Sequence, residues 1–214
     1  MTYGEGLRQL NPLSPQVVGE TLARFCPAQG QVADIGCGRG TTLAWLREHT
    51  GCQTCGVEAD PELAASCGAI PGRAEALPLA DASQDAVVLE CVFSLLEQAS
   101  VAAGELRRVL RPGGVALISD LYGRQGSTVL TGSSLLHHIY TAEELTAIFA
   151  AAGFECCEFT DHTFEMQTML AQMIMDGVAC DCTEPANRAL LKQVKAGYGL
   201  WVFRTRKGGS YAGI

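Results

Sequence analysis

The feature that most constrains the fold is a glycine-rich turn, residues 34–40 (DIGCGRG), between an apolar segment and a helical one. Glycine tolerates left-handed backbone conformations and lets a ligand approach the chain closely. A helix that begins directly after such a turn presents free N–H groups to that ligand. The pattern therefore predicts a strand, a ligand-binding turn and a helix in succession.

This turn departs from the two common phosphate-binding patterns. A dinucleotide pattern G-x-G-x-x-G that starts at Gly36 needs a glycine where the chain has Thr41. A P-loop ends in Gly-Lys-Ser/Thr, and the sequence Arg39-Gly40-Thr41 lacks that lysine. Asp34 would repel a pyrophosphate and attract an ammonium group. The expected ligand therefore lacks phosphates, which disfavours a nicotinamide-dependent oxidoreductase.

A second acidic residue, Glu58, ends the next predicted strand. An acid at this place, about 20 residues after the glycine turn, is typical of one that accepts hydrogen bonds from ribose hydroxyls. The alternative is a helix-capping or solvated glutamate. The turn and Glu58 together favour a nucleoside ligand.

Predicted strands alternate with predicted helices along the 214 residues, which indicates one domain with a mostly parallel sheet and helices on both faces. Helix starts are predicted at Ser14, Asp60 and Thr141. Residues 163–197 form a methionine-rich helical insertion before the last strand, interpreted either as a mobile cap or as a rigid lobe. The seven strands are predicted at residues 31–35, 52–59, 73–76, 85–93, 115–121, 154–161 and 198–206.

The charge balance narrows the range of partners. The chain carries a net charge of -8, and no cluster of Lys and Arg contains interleaved aromatic residues. Nucleic-acid binding draws on clustered positive charge, so a small neutral or cationic molecule is the expected partner. No signal peptide or membrane span is recognised, which predicts a cytoplasmic protein without membrane attachment. We expect a monomer or a homodimer.

The ten cysteines admit two interpretations. They can serve as small buried hydrophobic residues in a reducing compartment. Alternatively, clustered thiolates suit a soft acceptor such as a metalloid, or a bound zinc ion. The first interpretation is favoured because no zinc-finger spacing recurs, and no metal site is predicted. The cysteines that bear on this choice are Cys37, Cys91, Cys156, Cys157, Cys180 and Cys182.

Several motifs in a fixed order carry a family resemblance. Besides the glycine turn and Glu58, they are residues 74–79 (AEALPL), 85–88 (DAVV) and 110–114 (LRPGG). The chain resembles the class I S-adenosylmethionine-dependent methyltransferases, most of all the ubiquinone and menaquinone biosynthesis branch. The resemblance covers roughly residues 15–160 and 198–206. It implies a Rossmann-like fold, S-adenosylmethionine as the cofactor and a small-molecule acceptor.

The resemblance also implies roles for individual residues. The chain departs from the family at Arg73, where an aspartate is frequent, and at Glu90, where many relatives carry a small or amide residue. The adenine contact is therefore expected to shift towards Glu75. By position, the methionine moiety would contact Asp34, Gly36, Cys37, Gly38 and Gly40, and the ribose would contact Glu58 and Ala59. The adenine would contact Ala74 and Glu75, and the sulfonium would lie near Glu90 and Cys91.

Methyl transfer from a sulfonium mainly requires alignment and the exclusion of water. A base is needed only when the acceptor must lose a proton. The catalytic candidates are His137, His138 and Tyr140, and the adjacent histidines are favoured because one can face the cleft with a pKa near neutral. Each can instead be structural. The main alternative function is a non-catalytic module that binds S-adenosylmethionine or S-adenosylhomocysteine.

Overall fold

The computed structural model of the protein describes residues 11–129, 137–178 and 185–206. Strands β1–β5, β8 and β9 form one sheet, and β6 pairs with β7 in a separate ribbon. In chain order the strands are β1 (Gln31–Ile35), β2 (Gln53–Glu58), β3 (Ile70–Pro71), β4 (Gln84–Glu90), β5 (Leu110–Gly123), β6 (Thr128–Val129), β7 (His138–Ile139), β8 (Phe154–Asp161) and β9 (Ala196–Thr205).

The strand order confirms the predicted mostly parallel, seven-stranded sheet. The order is β3-β2-β1-β4-β5-β9-β8. The first five strands are parallel, and β9 is antiparallel to both β5 and β8. The direction of winding reverses between β1 and β4. Ligands of open α/β sheets bind in the crevice at such a reversal, beyond the carboxyl ends of the strands.

The helix starts agree with the sequence-based predictions. Ser14 caps α1, Asp60 caps α3, and Thr141 with Glu144 forms a complete capping box at α5. A capping side chain satisfies backbone N–H groups that the first turn leaves free. The helices are α1 (Pro15–Phe25), α2 (Thr41–His49), α3 (Pro61–Cys67), α4 (Ala99–Val109), α5 (Ala142–Ala151), α6 (Thr163–Met175) and α7 (Pro185–Gln193).

Apolar side chains pack against both faces of the sheet. On one face, Leu22 of α1 and Leu46 of α2 belong to the same buried cluster. On the other face, Leu106 of α4 and Phe149 of α5 join a larger cluster. Burial of each such side chain contributes about 1.5–3 kcal/mol. Helices on both faces and the two helices α6 and α7 before β9 confirm the Rossmann-like architecture with a helical insertion.

Two strand predictions were wrong in their position. Residues 73–76 form a turn closed by an isolated bridge between Arg73 and Ala76, and the edge strand is instead β3, just before them. The strand predicted over residues 85–93 ends at Glu90, because Cys91 adopts a left-handed φ of 55°. A short 3-10 helix, Phe93–Leu95, follows.

Within the described ranges, no helix is long and apolar enough to cross a membrane. Two predictions lie outside these ranges. They concern the tail at residues 208–214, which the sequence predicts to be frayed, and the Cys180 and Cys182 pair.

Candidate functional site

The glycine turn adopts the conformation for which glycine is needed. Gly36, Gly38 and Gly40 have φ values of 73°, 55° and 74°. The N–H of Gly36 donates to the carbonyl of Val57 at 2.7 Å, which ties the turn to β2. A Cβ on Gly36 would lie 2.5 Å from Val92, whereas a Cβ on Gly38 would have no protein atom within 4 Å. Gly38 therefore leaves its backbone open to a ligand, whereas Gly36 must be glycine because a side chain there would clash with Val92.

Glu58 holds the turn from the carboxyl end of β2. Its Oε2 accepts a hydrogen bond from the N–H of Gly38 at 2.8 Å, and its Oε1 accepts one from the N–H of Asp60 at 3.0 Å. Each carboxylate oxygen has a second lone pair that these bonds leave available. Ala59 follows Glu58 and is exposed. Glu58 thus combines a structural role with free acceptor capacity at the turn.

A cavity of about 880 Å³ opens beside the turn. The switch point between β1 and β4 supplies its floor, the segment before α1 supplies one side, and α6 supplies another. The sequence predicted an apolar wall that includes Met169 of α6, but it did not identify residues 11–15. Its lining comprises residues 11–15, Asp34, Gly36, Cys37, Gly38, Arg39, Thr41, Glu90, Cys91, Phe164, Glu165, Thr168 and Met169.

Two carboxylates face this cavity from neighbouring strands. Asp34 is 3% exposed, and no described residue donates a hydrogen bond to its carboxylate. Burial raises the pKa of Asp34 well above its usual value, and the charges of Glu90 and Glu58 raise it further. Burial also raises the pKa of Glu90, while hydrogen bonds from Thr42 and Asn11 oppose that change. The cavity floor therefore suits a positively charged ligand.

A buried polar cluster lies behind Glu90. The Sγ of Cys91 is 3.1 Å from the Oη of Tyr198, and that hydroxyl is 3.1 Å from the Oγ of Ser119. Burial raises the pKa of the Cys91 thiol and of the Tyr198 phenol, so both groups are neutral at neutral pH. The left-handed backbone of Cys91 is uncommon for a residue other than glycine, and such conformations cluster at functional sites.

The predicted adenine residues lie in the turn after β3. Ala74 is buried in the core, and Glu75 Oε2 is buried without a hydrogen-bond donor among the described residues. The nearest positive group is the Nε of Arg73, at 3.5 Å from that oxygen. Neither Ala74 nor Glu75 lines the cavity. The turn nevertheless offers a buried acceptor oxygen to which no described residue donates a hydrogen bond.

The predicted catalytic residues are not among those that line the cavity. The ring of His138 stacks on Tyr140 with centroids 3.9 Å apart, and the N–H of His137 donates to the carbonyl of Ser94 at 2.9 Å. Burial lowers the pKa of His138, and Glu144 opposes this effect. Their catalytic roles stay predictions.

The described cysteines do not form a metal site, since no group of three His, Cys, Asp or Glu ligands occurs within the described ranges. Cys156 pairs in register with Phe203, whose ring stacks on Phe149 of α5. Cys157 lies in the field of Arg204, whose guanidinium covers a ring of α1. Both thiols are exposed on the edge strand β8, where the register with β9 shifts between Cys156 and Glu158.

Comparison with known proteins agrees with this geometry. Residues 33–118 match the family model for a methyltransferase domain. The chain is 29% identical over 171 residues to O-methyltransferase cnsE of Penicillium expansum, covering 68% of this chain and 62% of that protein. It is 34% identical over 118 residues to malonyl-[acyl-carrier protein] O-methyltransferase of Erwinia billingiae (strain Eb661), covering 50% of this chain and 45% of that protein. The chain thus spans less than two thirds of either relative.

The fold is also similar to a solved structure, the crystal structure of the [4+2]-cyclase SpnF, with a TM-score of 0.72. The two chains are 19% identical, and the match covers 90% of this chain and 82% of that one. Residues 33–118 thus resemble a methyltransferase domain, and the likeness to the solved structure concerns the fold alone.

Proposed function

We propose that the protein transfers a methyl group from S-adenosylmethionine to a small-molecule acceptor. The observation that carries this proposal is the buried Asp34 carboxylate, which faces the cavity beside the left-handed glycine turn and has no hydrogen-bond donor among the described residues. S-adenosylmethionine brings an ammonium group and a sulfonium to such a site. Its cationic groups match an acidic cavity better than a pyrophosphate does.

Other features of the site fit the rest of this donor. Gly38 leaves its backbone open to a ligand, and the first turn of α2 offers N–H groups to the donor's carboxylate. Glu58 has acceptor capacity for ribose hydroxyls. The unsatisfied oxygen of Glu75 suits an exocyclic amine of adenine. These assignments are proposals that follow the same order along the chain as the family motifs.

The donor, when bound, supplies an electrophilic methyl group on a positively charged sulfur. An acceptor lone pair forms the new bond to the methyl carbon, and the electrons of the broken carbon–sulfur bond stay on sulfur. The protein has to align the acceptor and exclude water. Apolar side chains in the cavity lining, Leu13, Phe164 and Met169, suit an apolar acceptor skeleton. The names of the two relatives support an oxygen atom as the acceptor.

An acceptor hydroxyl would have to lose a proton, and His137, His138 and Tyr140 remain the proposed groups for that transfer. A general base contributes about 100- to 10,000-fold to the rate. If one of the three transfers the proton, its replacement lowers kcat by at least about 100-fold. A folded variant with nearly native kcat would remove that residue from the mechanism.

The proposed function is tested in two steps. Calorimetric titration with S-adenosylmethionine, S-adenosylhomocysteine and NAD is expected to show binding of the first two only. Isotopically labelled donor is then supplied with a panel of phenols, carboxylic acids, amines, thiols and arsenite. Tight binding of NAD without binding of the sulfonium compound would overturn the proposal.

The second candidate is a protein of this fold that does not transfer methyl groups. This candidate is supported by a solved structure of similar fold that is named as a cyclase. Donor binding without turnover on the whole panel would support that candidate.

We also propose a cytoplasmic location and a monomeric or homodimeric state. A reducing compartment keeps thiols free, as they are at Cys26, Cys37 and Cys52.

A further inference from the structure

The donor and product of the proposed reaction differ in charge at one atom. The sulfur is a cation in S-adenosylmethionine and neutral in S-adenosylhomocysteine, while the ammonium, carboxylate, ribose and adenine are common to both. A protein charge near the sulfur therefore changes the affinity for one ligand relative to the other, and charges elsewhere affect both alike. Glu90 ends β4 at the floor of the cavity, where the family resemblance places the sulfur.

Two hydrogen bonds favour the charged form of Glu90 and oppose the burial that raises its pKa. The side-chain amide of Asn11 donates to one of its carboxylate oxygens, and the hydroxyl of Thr42 donates to the other. Hydrogen bonds to the charged form favour ionisation. Asp34 lies on the neighbouring strand and receives no such donor from the described residues, so it is the partner that takes up a proton more readily.

The surroundings supply little compensating positive charge. Among the described lining residues the only basic side chain is Arg39, which is exposed. The thiols of Cys37 and Cys91 stay neutral because burial raises their pKa. Other titratable or charged groups lie near Asp34, Glu90 and their neighbours. They are Glu58 of β2, Asp120 of β5, Glu165 of α6 and Tyr198 of β9, and Glu165 pairs with His162.

On the basis of the proposed function, we infer that Glu90 makes the cavity select the sulfonium donor over its neutral thioether product. A cationic sulfur gains a counter-charge from the ionised form of Glu90, and the neutral thioether does not. After methyl transfer the sulfur is neutral, and Glu90 is left without that counter-charge. The same residue therefore favours donor binding before the reaction and product release after it.

Calorimetric titration of both ligands tests this inference. The quantity measured is the Kd of S-adenosylhomocysteine divided by the Kd of S-adenosylmethionine. Glu90→Gln keeps the size of the side chain and removes its charge, and it is expected to lower this ratio by about tenfold or more, as loss of one partly screened ion pair implies. The matched control is Glu48→Gln, which neutralises an exposed glutamate of α2 outside the cavity lining and should leave the ratio unchanged.

The wild-type protein provides a second measurement that does not depend on the folding of a variant. Lowering the pH protonates the acidic pair, so the preference for S-adenosylmethionine should decline. Titrations in two buffers with different ionisation enthalpies should show more protons released on donor binding than on product binding.

The outcomes separate this inference from the proposed function. Failure of both ligands to bind the wild-type protein overturns the proposed function. Binding of both, with turnover, but with a ratio unaffected by Glu90→Gln or with equal losses for the two ligands, overturns only the role of Glu90. If Glu90→Gln does not fold, a wild-type ratio that is independent of pH, with equal proton release, overturns the inference.

Discussion

Replacement of Glu58 by alanine should weaken S-adenosylmethionine binding by about 10- to 100-fold. The carboxylate accepts the N–H groups of Gly38 and Asp60, so the substitution leaves two backbone donors of the turn without their partner. It also removes the proposed ribose contact. A hydrogen bond to a charged group is worth about 1.5–3 kcal/mol, and loss of one such bond in the bound state gives the stated range.

Glu58→Gln distinguishes the two contributions. Its amide has one acceptor oxygen, which can serve either Gly38 or Asp60, while the NH₂ group meets the other donor. We therefore expect an intermediate loss of affinity. Glu48→Ala, which removes an exposed acid of α2, is the control for a general effect of net charge. Calorimetry and a thermal melt should be run on all three proteins. A folded Glu58→Ala variant with an unchanged Kd would show that this acid does not bind the ribose.

Two further predictions concern the turn and the core. Gly38→Ala should mainly weaken donor binding, measured by calorimetry, since its Cβ meets no protein atom. Gly36→Ala should mainly lower the melting temperature, because its Cβ would lie 2.5 Å from Val92. Equal effects of the two variants in calorimetry and in thermal melts would contradict this prediction. Burial raises the pKa of Asp120 to about 6, so the folded state holds that proton more tightly and stability should fall as pH rises from 3.8 to about 6. Urea unfolding across this range should show a weaker pH dependence for Asp120→Asn, and an identical dependence would refute the assignment.

The parts of the fold that the sequence predicts are those with local signals. Alternation of strands and helices gives the sheet, and the caps at Ser14 and Asp60 mark helix starts because a side chain next to the helix satisfies its first N–H groups. The glycine turn is equally local, since three left-handed residues need glycine. The short edge strand β3 was misplaced because two residues carry no periodic pattern.

The cavity walls depend on contacts that no local pattern encodes. Asn11 reaches Glu90 across 79 positions of sequence, and Cys91 meets Tyr198 across 107. Such pairs follow from the strand order, which brings β4 and β9 to either side of β5 and folds the segment before α1 over their ends. Glu90 was identified only by its position at a strand end. Its hydrogen-bond partners, which favour its charged form, became apparent only in the folded chain.

The helix α6 is expected to act as a cap that tightens when ligands bind. Phe164 and Met169 line the cavity, while Met166 and Met173 are buried on the side that anchors the helix. Closure of this helix over the ligands would keep water from the sulfonium. Hydrogen exchange should therefore be fast in α6 of the free protein and slow by at least about tenfold with S-adenosylhomocysteine and an acceptor bound. The helix α4, whose residues do not line the cavity, is the internal control and should not respond. Slow exchange in α6 without ligand, unchanged on binding, would show that the helix is a rigid part of the core.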